Sequence, residues 1–309
     1  MKVKSSEILF IKSVKDGIPN RDPLNDSDAR RIFSEEDGRI SLSDVSIKRD
    51  VRDFVISYHP DGGDGQRNHV FVQQIMNEKG KLLGRGSLAG RIAKKAGQEK
   101  EAQKDMKEVL INHCFDVRTF GIVYSVKPKF NLTGPVQFGW AHSLHRVDSQ
   151  YVQGTVVMPS TDSTADEEGK TQGTIWTSYI VPFAIFAMPA VINATAASHS
   201  GMTVDDQELL LQSLWQGTQH RQARGRGQQQ PLLLLHVEYN DPFYRIGYLE
   251  DLISLSGDQP TSLNDVSLDL QKLLAVIKEK REKIEQCRIW CHPALKVLGE
   301  IKEYEQPLW

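Results

Sequence analysis

Residues 38–58, GRISLSDVSIKRDVRDFVISY, constrain the fold of this chain more than any other stretch. Ile40 and Leu42 alternate with serines, which predicts a short strand with one buried face. Ser43 and Asp44 then offer side-chain oxygens to the amides that open a helix. From Val45 onward, Ile47, Val51, Phe54, Val55 and Tyr58 recur at three-to-four spacing, so one helix face packs on a core. Lys48, Arg49 and Arg52 fall elsewhere on the wheel, and Arg39 lies just upstream. These cations have two readings. They form the solvated side of an ordinary amphipathic helix, or they join the terminal N–H groups in a cradle for phosphate.

The remaining segments outline a mixed α and β chain. Ile8, Phe10 and Val14 predict an N-terminal strand that runs into a turn-rich loop, KDGIPNRDP, at residues 15–23. A strand is expected near residues 70–75, and a charged helical stretch over 88–110. Val117, Phe120, Ile122, Tyr124 and Val126 then predict strand, as does the run 130–140. Two strand-like runs within 151–179 flank a tip without apolar periodicity. Residues 182–199 are Ala-rich and predict a buried helix; Thr203 caps the next helix, whose apolar face holds Leu209, Leu210 and Leu214. Arg221, Arg224 and Arg226 follow on a Gly-rich loop, which either clamps a phosphate backbone or is merely a soluble loop. Residues 232–239 predict a central strand and 265–290 a long helix.

Bulk properties exclude more than they assign. The net charge of −2 is not that of a free-standing nucleic-acid binder, which is usually basic, unless the cations are gathered in one groove. Cys114, Cys287 and Cys291 cannot form a complete disulfide set and suggest a reducing, cytoplasmic setting. No apolar run approaches the roughly 20 residues of a membrane span. Cys287, Cys291 and His292 are one ligand short of a zinc site, and His142 with His145 lacks further ligands. The acidic turn after Tyr58 lacks the alternation of a calcium loop, and the glycines at 80, 84 and 86 lack P-loop spacing. No metal and no cofactor are expected.

The order strand, PNRDP loop, short strand and RIS…SIKRDVR helix resembles the backbone subunit of type I CRISPR Cascade complexes. That subunit is the Cas-seven family of the repeat-associated RNA-binding (RAMP) superfamily. FDVRTFG at 115–121, LTGPVQF at 132–138, SLHRV at 143–147 and VPF at 181–183 are similar to the I-B form, so the likeness covers most of the chain in order. It implies an α+β fold, an RRM-like (ferredoxin-type) palm spanning 1–309. A finger-like helical insertion is implied at 60–112 and a β-hairpin thumb at 150–179. It also implies a non-catalytic subunit, copies of which polymerise along CRISPR RNA, kink it at regular intervals and present its bases to target DNA. The implied partners are other copies of the chain, the large subunit, the guide 5′-end-capping subunit and the guide-processing subunit.

On that footing the expected RNA contacts are Asn20 and Arg21 in the first loop, and Arg39, Ser43, Lys48, Arg49 and Arg52 around the first helix. Gln137 and Arg146 are expected on the sheet, and Met158, Lys170 and Trp176 on the hairpin stem. Arg221, Arg224 and Arg226 complete the set. The alternative is a metal-dependent ribonuclease of the type III backbone kind, with Asp22 or Asp26 of the first loop recruiting Mg²⁺; those carboxylates equally suit Arg21 or Arg30 as hydrogen-bond partners.

Overall fold

Strand β1 (Ser6–Gly17) is apolar on both faces and therefore separates two cores. Ile8, Phe10 and Val14 enter one core, while Leu9 and Ile11 enter the other, as the two-residue strand period requires. The computed structural model describes residues 2–19, 38–156, 174–257 and 259–309. β1 lies between β8 (Thr174–Ile192) and β9 (Gln228–Tyr239), antiparallel to both. β12 (Ile284–Cys291) extends the sheet beyond β9. On the other side β6 (Ala141–Ser143) and then β2 (Ser41–Leu42) follow β8, with β5 (Val136–Phe138) pairing the C-terminal end of β8.

The first face is covered by α1 (Asp44–Tyr58) and α7 (Val204–His220), which pack on each other. α7 opens as its sequence predicts, with a capping box between Thr203 and Asp206. The two helices meet at Gly217, where an added Cβ would lie 2.7 Å from the Asp50 carbonyl oxygen. Gly217→Leu should therefore force the helices apart and cost about 1–3 kcal/mol in a denaturant melt, the scale of overpacking. An unchanged midpoint would show that the crossing is not tight. The second face carries α8 (Gln271–Glu279) and a small sheet of β10 (Ser254–Ser256), β11 (Ser267–Asp269) and β13 (Val297–Leu298).

Residues 60–124 leave the sheet and build a core of their own from Phe71, Leu88, Ile92, Leu110, Val117 and Tyr124, among others. The charged stretch expected as one helix is three: α2 (Arg85–Lys95), α3 (Glu99–Lys104) and α4 (Met106–His113). Gly97, at φ +67°, and Asp105, whose side chain caps α4, interrupt it. Short α5 (Phe115–Phe120) replaces the strand expected from Val117, and β3 (Gly121–Tyr124) with β4 (Phe130–Thr133) forms a separate ribbon. Residues 70–75, expected as a strand, hold none.

Two larger corrections concern β8 and β12. Residues 182–192 are strand; only α6 (Ala194–Ser200) is helical in that region. The run is buried on both faces, so no alternation marks it as a strand, while Pro182 and Pro189 oppose a helix interior. The helix expected over 265–290 ends at Glu279, because Ile284–Cys291 pairs with the edge of β9. The N-terminal part of β8 runs on past the sheet and pairs with β7 (Gln150–Val156) as a hairpin, as the paired runs predict.

Candidate nucleic-acid interface

The end of β1, the start of α1, the base of the 60–124 excursion and the loop from α7 to β9 converge on one cleft of about 450 Å³. Backbone packing holds the loop there. A Cβ on Gly17 would lie 2.2 Å from the Arg226 carbonyl oxygen, and Ile18 N–H donates to Gly225 O at 2.7 Å. The cleft is lined by Ser43, Arg49, Arg52, Arg221, Arg224 and Arg226, with Val45 and Val72 among the apolar lining. Six of the residues expected to contact RNA thus come together, although Arg221, Arg224 and Arg226 lie some 170 residues from Ser43, Arg49 and Arg52 in sequence; the return of α7 across α1 brings the two sets into one cleft.

Behind the cleft wall lies a buried charge cluster. Asp50, 1% exposed, accepts from Lys12 Nζ at 3.2 Å, from Arg221 at 2.8 Å and from Arg226 at 3.2 Å. Lys12, also 1% exposed, donates to Gln229 Oε1 at 2.9 Å. Burial pushes the Lys12 ammonium down to about 8, against the pull of Asp50 and with help from the neighbouring Arg226 and Arg221 charges. Burial alone would raise the Asp50 carboxyl, but Lys12, Arg226 and Arg221 outweigh it and hold it below its ordinary value. Lys12 shares its face of β1 with Ile8, Phe10 and Val14, and Asp50 sits between Ile47 and Phe54 on the buried face of α1. A lysine and an aspartate in two apolar rows were the sequence signals for this pair, which pattern reading of the cations alone passes over.

The individual cations differ in what already holds them. Arg49 Nε donates to both Asp53 oxygens, at 2.7 and 2.8 Å, and its side chain remains 43% exposed. Lys48 pairs with Asp44 one turn earlier at 2.8 Å. Arg52 donates to Asp116 at 2.9 Å, and both Lys48 and Arg52 lie over the Phe120 ring. Asp116 also accepts from the Phe71 and Val72 amides, so Arg52 is a joint between α1 and the excursion as well as a wall of the cleft. Arg226 is 6% exposed, and its guanidinium bonds Asp50, the Arg221 carbonyl and the Thr218 carbonyl. The expectation of a solvent-facing clamp is corrected there: Arg226 supports the wall from inside. Arg224 is exposed and lies over the Trp176 ring, 5.9 Å from its centroid, which joins the cleft to the stem of the hairpin. Trp176 itself folds across Gly154 of β7.

Ser43 occupies the N-cap position of α1 but its side chain makes no capping hydrogen bond. Arg146 lies across Gly38, next to Arg39, and neither arginine lines the cleft. Gln137 donates to the Gly134 carbonyl and lines a different groove, beside Glu7 and Pro189 at the opposite end of β1. Asn20, Arg21, Met158 and Lys170, like Asp22 and Asp26, lie outside the described residues. Cys287 and Cys291 stand on one face of a strand and not on a helical turn; burial pushes their thiols up to about 12 and about 11. Among the described residues no group of three or more His, Cys, Asp or Glu is placed to hold a metal ion, and no helix is long and apolar enough to cross a membrane.

The family described as CRISPR-associated protein Cas7 matches residues 4–271. A CRISPR-associated protein Cas7 of Haloferax volcanii is 24% identical over 312 residues, covering 92% of this chain and 86% of the relative. A chain of a CRISPR RNA-guided surveillance complex in a pre-nicking state shares the fold at TM-score 0.57 and 15% identity, with 96% of each chain covered. A chain of another CRISPR RNA-guided surveillance complex does so at 0.55 and 14%, covering 97% and 96%.

Proposed function

Because this chain belongs to the CRISPR-associated protein Cas7 family, we propose that it is a non-catalytic backbone subunit of a type I-B Cascade complex and binds CRISPR RNA in several copies per guide. The strand order β9-β1-β8-β6, with α1 and α7 on one face, supports an RRM-like (ferredoxin-type) palm. The separate core of the 60–124 excursion supports the finger, and the β7–β8 hairpin supports the thumb. The observation that carries the reading is the cleft lined by Arg49, Arg221 and Arg224, the last of which lies over Trp176 on the hairpin stem.

In this reading the accessible guanidiniums neutralise guide phosphates, and the protein engages backbone while base pairing with target DNA reads sequence. The hairpin of one copy reaches the next, a heterologous contact that propagates along the RNA as a helical filament and does not close a ring. The thumb kinks the guide at each junction. The large subunit, the 5′-end-capping subunit and the guide-processing subunit complete the assembly in the cytoplasm. Asp22 and Asp26, on which the first-loop ribonuclease would rest, lie outside the described residues.

Co-expression with a CRISPR array and its companion subunits tests this. The purified chain should carry nucleic acid, seen as a raised 260/280 nm absorbance ratio, and should oligomerise only with guide present. Protein free of nucleic acid that forms no guide-dependent oligomer would overturn the reading. Mg²⁺-stimulated cutting of the bound RNA would decide for a ribonuclease instead.

A further inference from the structure

We propose that Asp50 is the positioning residue of the cleft: one buried carboxylate that holds Arg221 in the orientation in which its guanidinium meets a phosphodiester oxygen. The inference rests on the cleft binding RNA and adds what makes that binding geometric and not merely electrostatic. Asp50 belongs to α1, Lys12 to β1, and Arg221 and Arg226 to the loop after α7, so a single side chain ties three separate elements. Arg221 gives one terminal nitrogen to Asp50 at 2.8 Å and lies 3.5 Å through Nε from Asp53. Among the described residues its other terminal nitrogen has no hydrogen-bond partner, and the side chain is 23% exposed where it lines the cleft.

The charge balance points the same way. Lys12, Arg226, Arg221 and Arg49 face only two carboxylates, Asp50 and Asp53. Buried charge without a full complement of counter-charge is destabilising. A phosphodiester at the open side of Arg221 offsets the excess. An arginine suits this task because its planar fork holds two anions at once, the carboxylate behind and the phosphate in front. A lysine is a point charge and cannot.

Two variants of the full chain separate this from simple attraction, read by the affinity of a labelled oligouridylate at fixed salt. Arg221→Lys keeps the charge and loses the fork; its affinity should fall roughly tenfold or more, as far as that of Arg221→Ala. Wild-type affinity in Arg221→Lys would overturn the proposal. Asp50→Asn removes a negative charge, so bulk electrostatics expects tighter binding, whereas loss of positioning expects roughly tenfold weaker binding by the folded protein. Equal or tighter binding would count decisively against it. Should Asp50→Asn fail to fold, the comparison of Arg221→Lys with Arg221→Ala decides alone, since Arg221 is partly exposed. Arg49→Ala and Arg224→Ala distinguish the parent reading. If neither weakens oligouridylate binding, the cleft is not the RNA site; if both do while Arg221→Lys does not, only the role of Asp50 is wrong.

Discussion

Arg118→Ala should lower the stability of the folded chain by about 3–5 kcal/mol, the cost of breaking a buried ion pair from one side. Arg118 is 1% exposed and grips Asp206 with two bonds, Nε to Oδ2 at 2.9 Å and a terminal nitrogen to Oδ1 at 2.7 Å. Its remaining terminal nitrogen donates to the Ile111 and Asn112 carbonyls, at 3.0 and 3.2 Å. Alanine strands the buried Asp206 carboxylate and leaves two half-buried backbone carbonyls without their donor. The damage extends further because Asp206 also accepts from the Thr203 amide in the capping box of α7. α7 packs with α1 on one sheet face, so loosening its first turn loosens the core beneath it. Arg118→Lys should rescue little, since an ammonium cannot make the bidentate pair and reach two carbonyls together. Thermal and denaturant melts check this, with oligouridylate affinity measured well below the melting midpoint. A loss under about 1 kcal/mol would mean that the pair behaves as an exposed one. RNA affinity of the folded fraction should not change, because Arg118 does not line the cleft.

Arg118 also shows how far the sequence is readable. FDVRTFG is recognisable as a motif, yet nothing in its spacing says that Asp116 locks Arg52 and two amides or that Arg118 locks Asp206 across the chain. Its function as a joint depends on partners about 45 to 90 residues away in sequence. The strand-to-helix stretch at 38–58, the Thr203 cap and the 232–239 strand were readable because each carries its own period or cap. β8 and β12 were not. In β8 burial on both faces erases the alternation that betrays a strand, and in β12 an open edge of β9 overrides helical spacing. The site was legible in the same measure. Clustered arginines announce themselves, but a list of cations does not say which are already engaged: Lys48 by Asp44, Arg52 by Asp116, Arg226 by Asp50. That depends on tertiary partners.

The same distinction sets the last expected result. Arg49→Ala, Arg221→Ala and Arg224→Ala combined should nearly abolish guide binding and leave the fold in place. All three side chains are partly or wholly exposed at the cleft, and none is an inner member of the buried cluster, where Asp50 keeps Lys12 and Arg226. For single-stranded RNA each lost phosphate contact lowers the slope of log affinity against log salt by about 0.7. Three contacts should flatten it by about 2, and the affinity difference from wild type should shrink as salt rises. The pair Lys48→Ala with Arg52→Ala, the obvious choice from the charged face of the helix, should behave differently. Removing Arg52 deprives a buried carboxylate of its cation, so that variant should melt earlier whether or not RNA is present. Titrations of both variants over a range of salt, paired with melts in the absence of RNA, read the two effects separately. An unchanged slope in the triple variant would place the guide elsewhere on the surface, and an unchanged melt in the double variant would make Arg52 an ordinary surface cation.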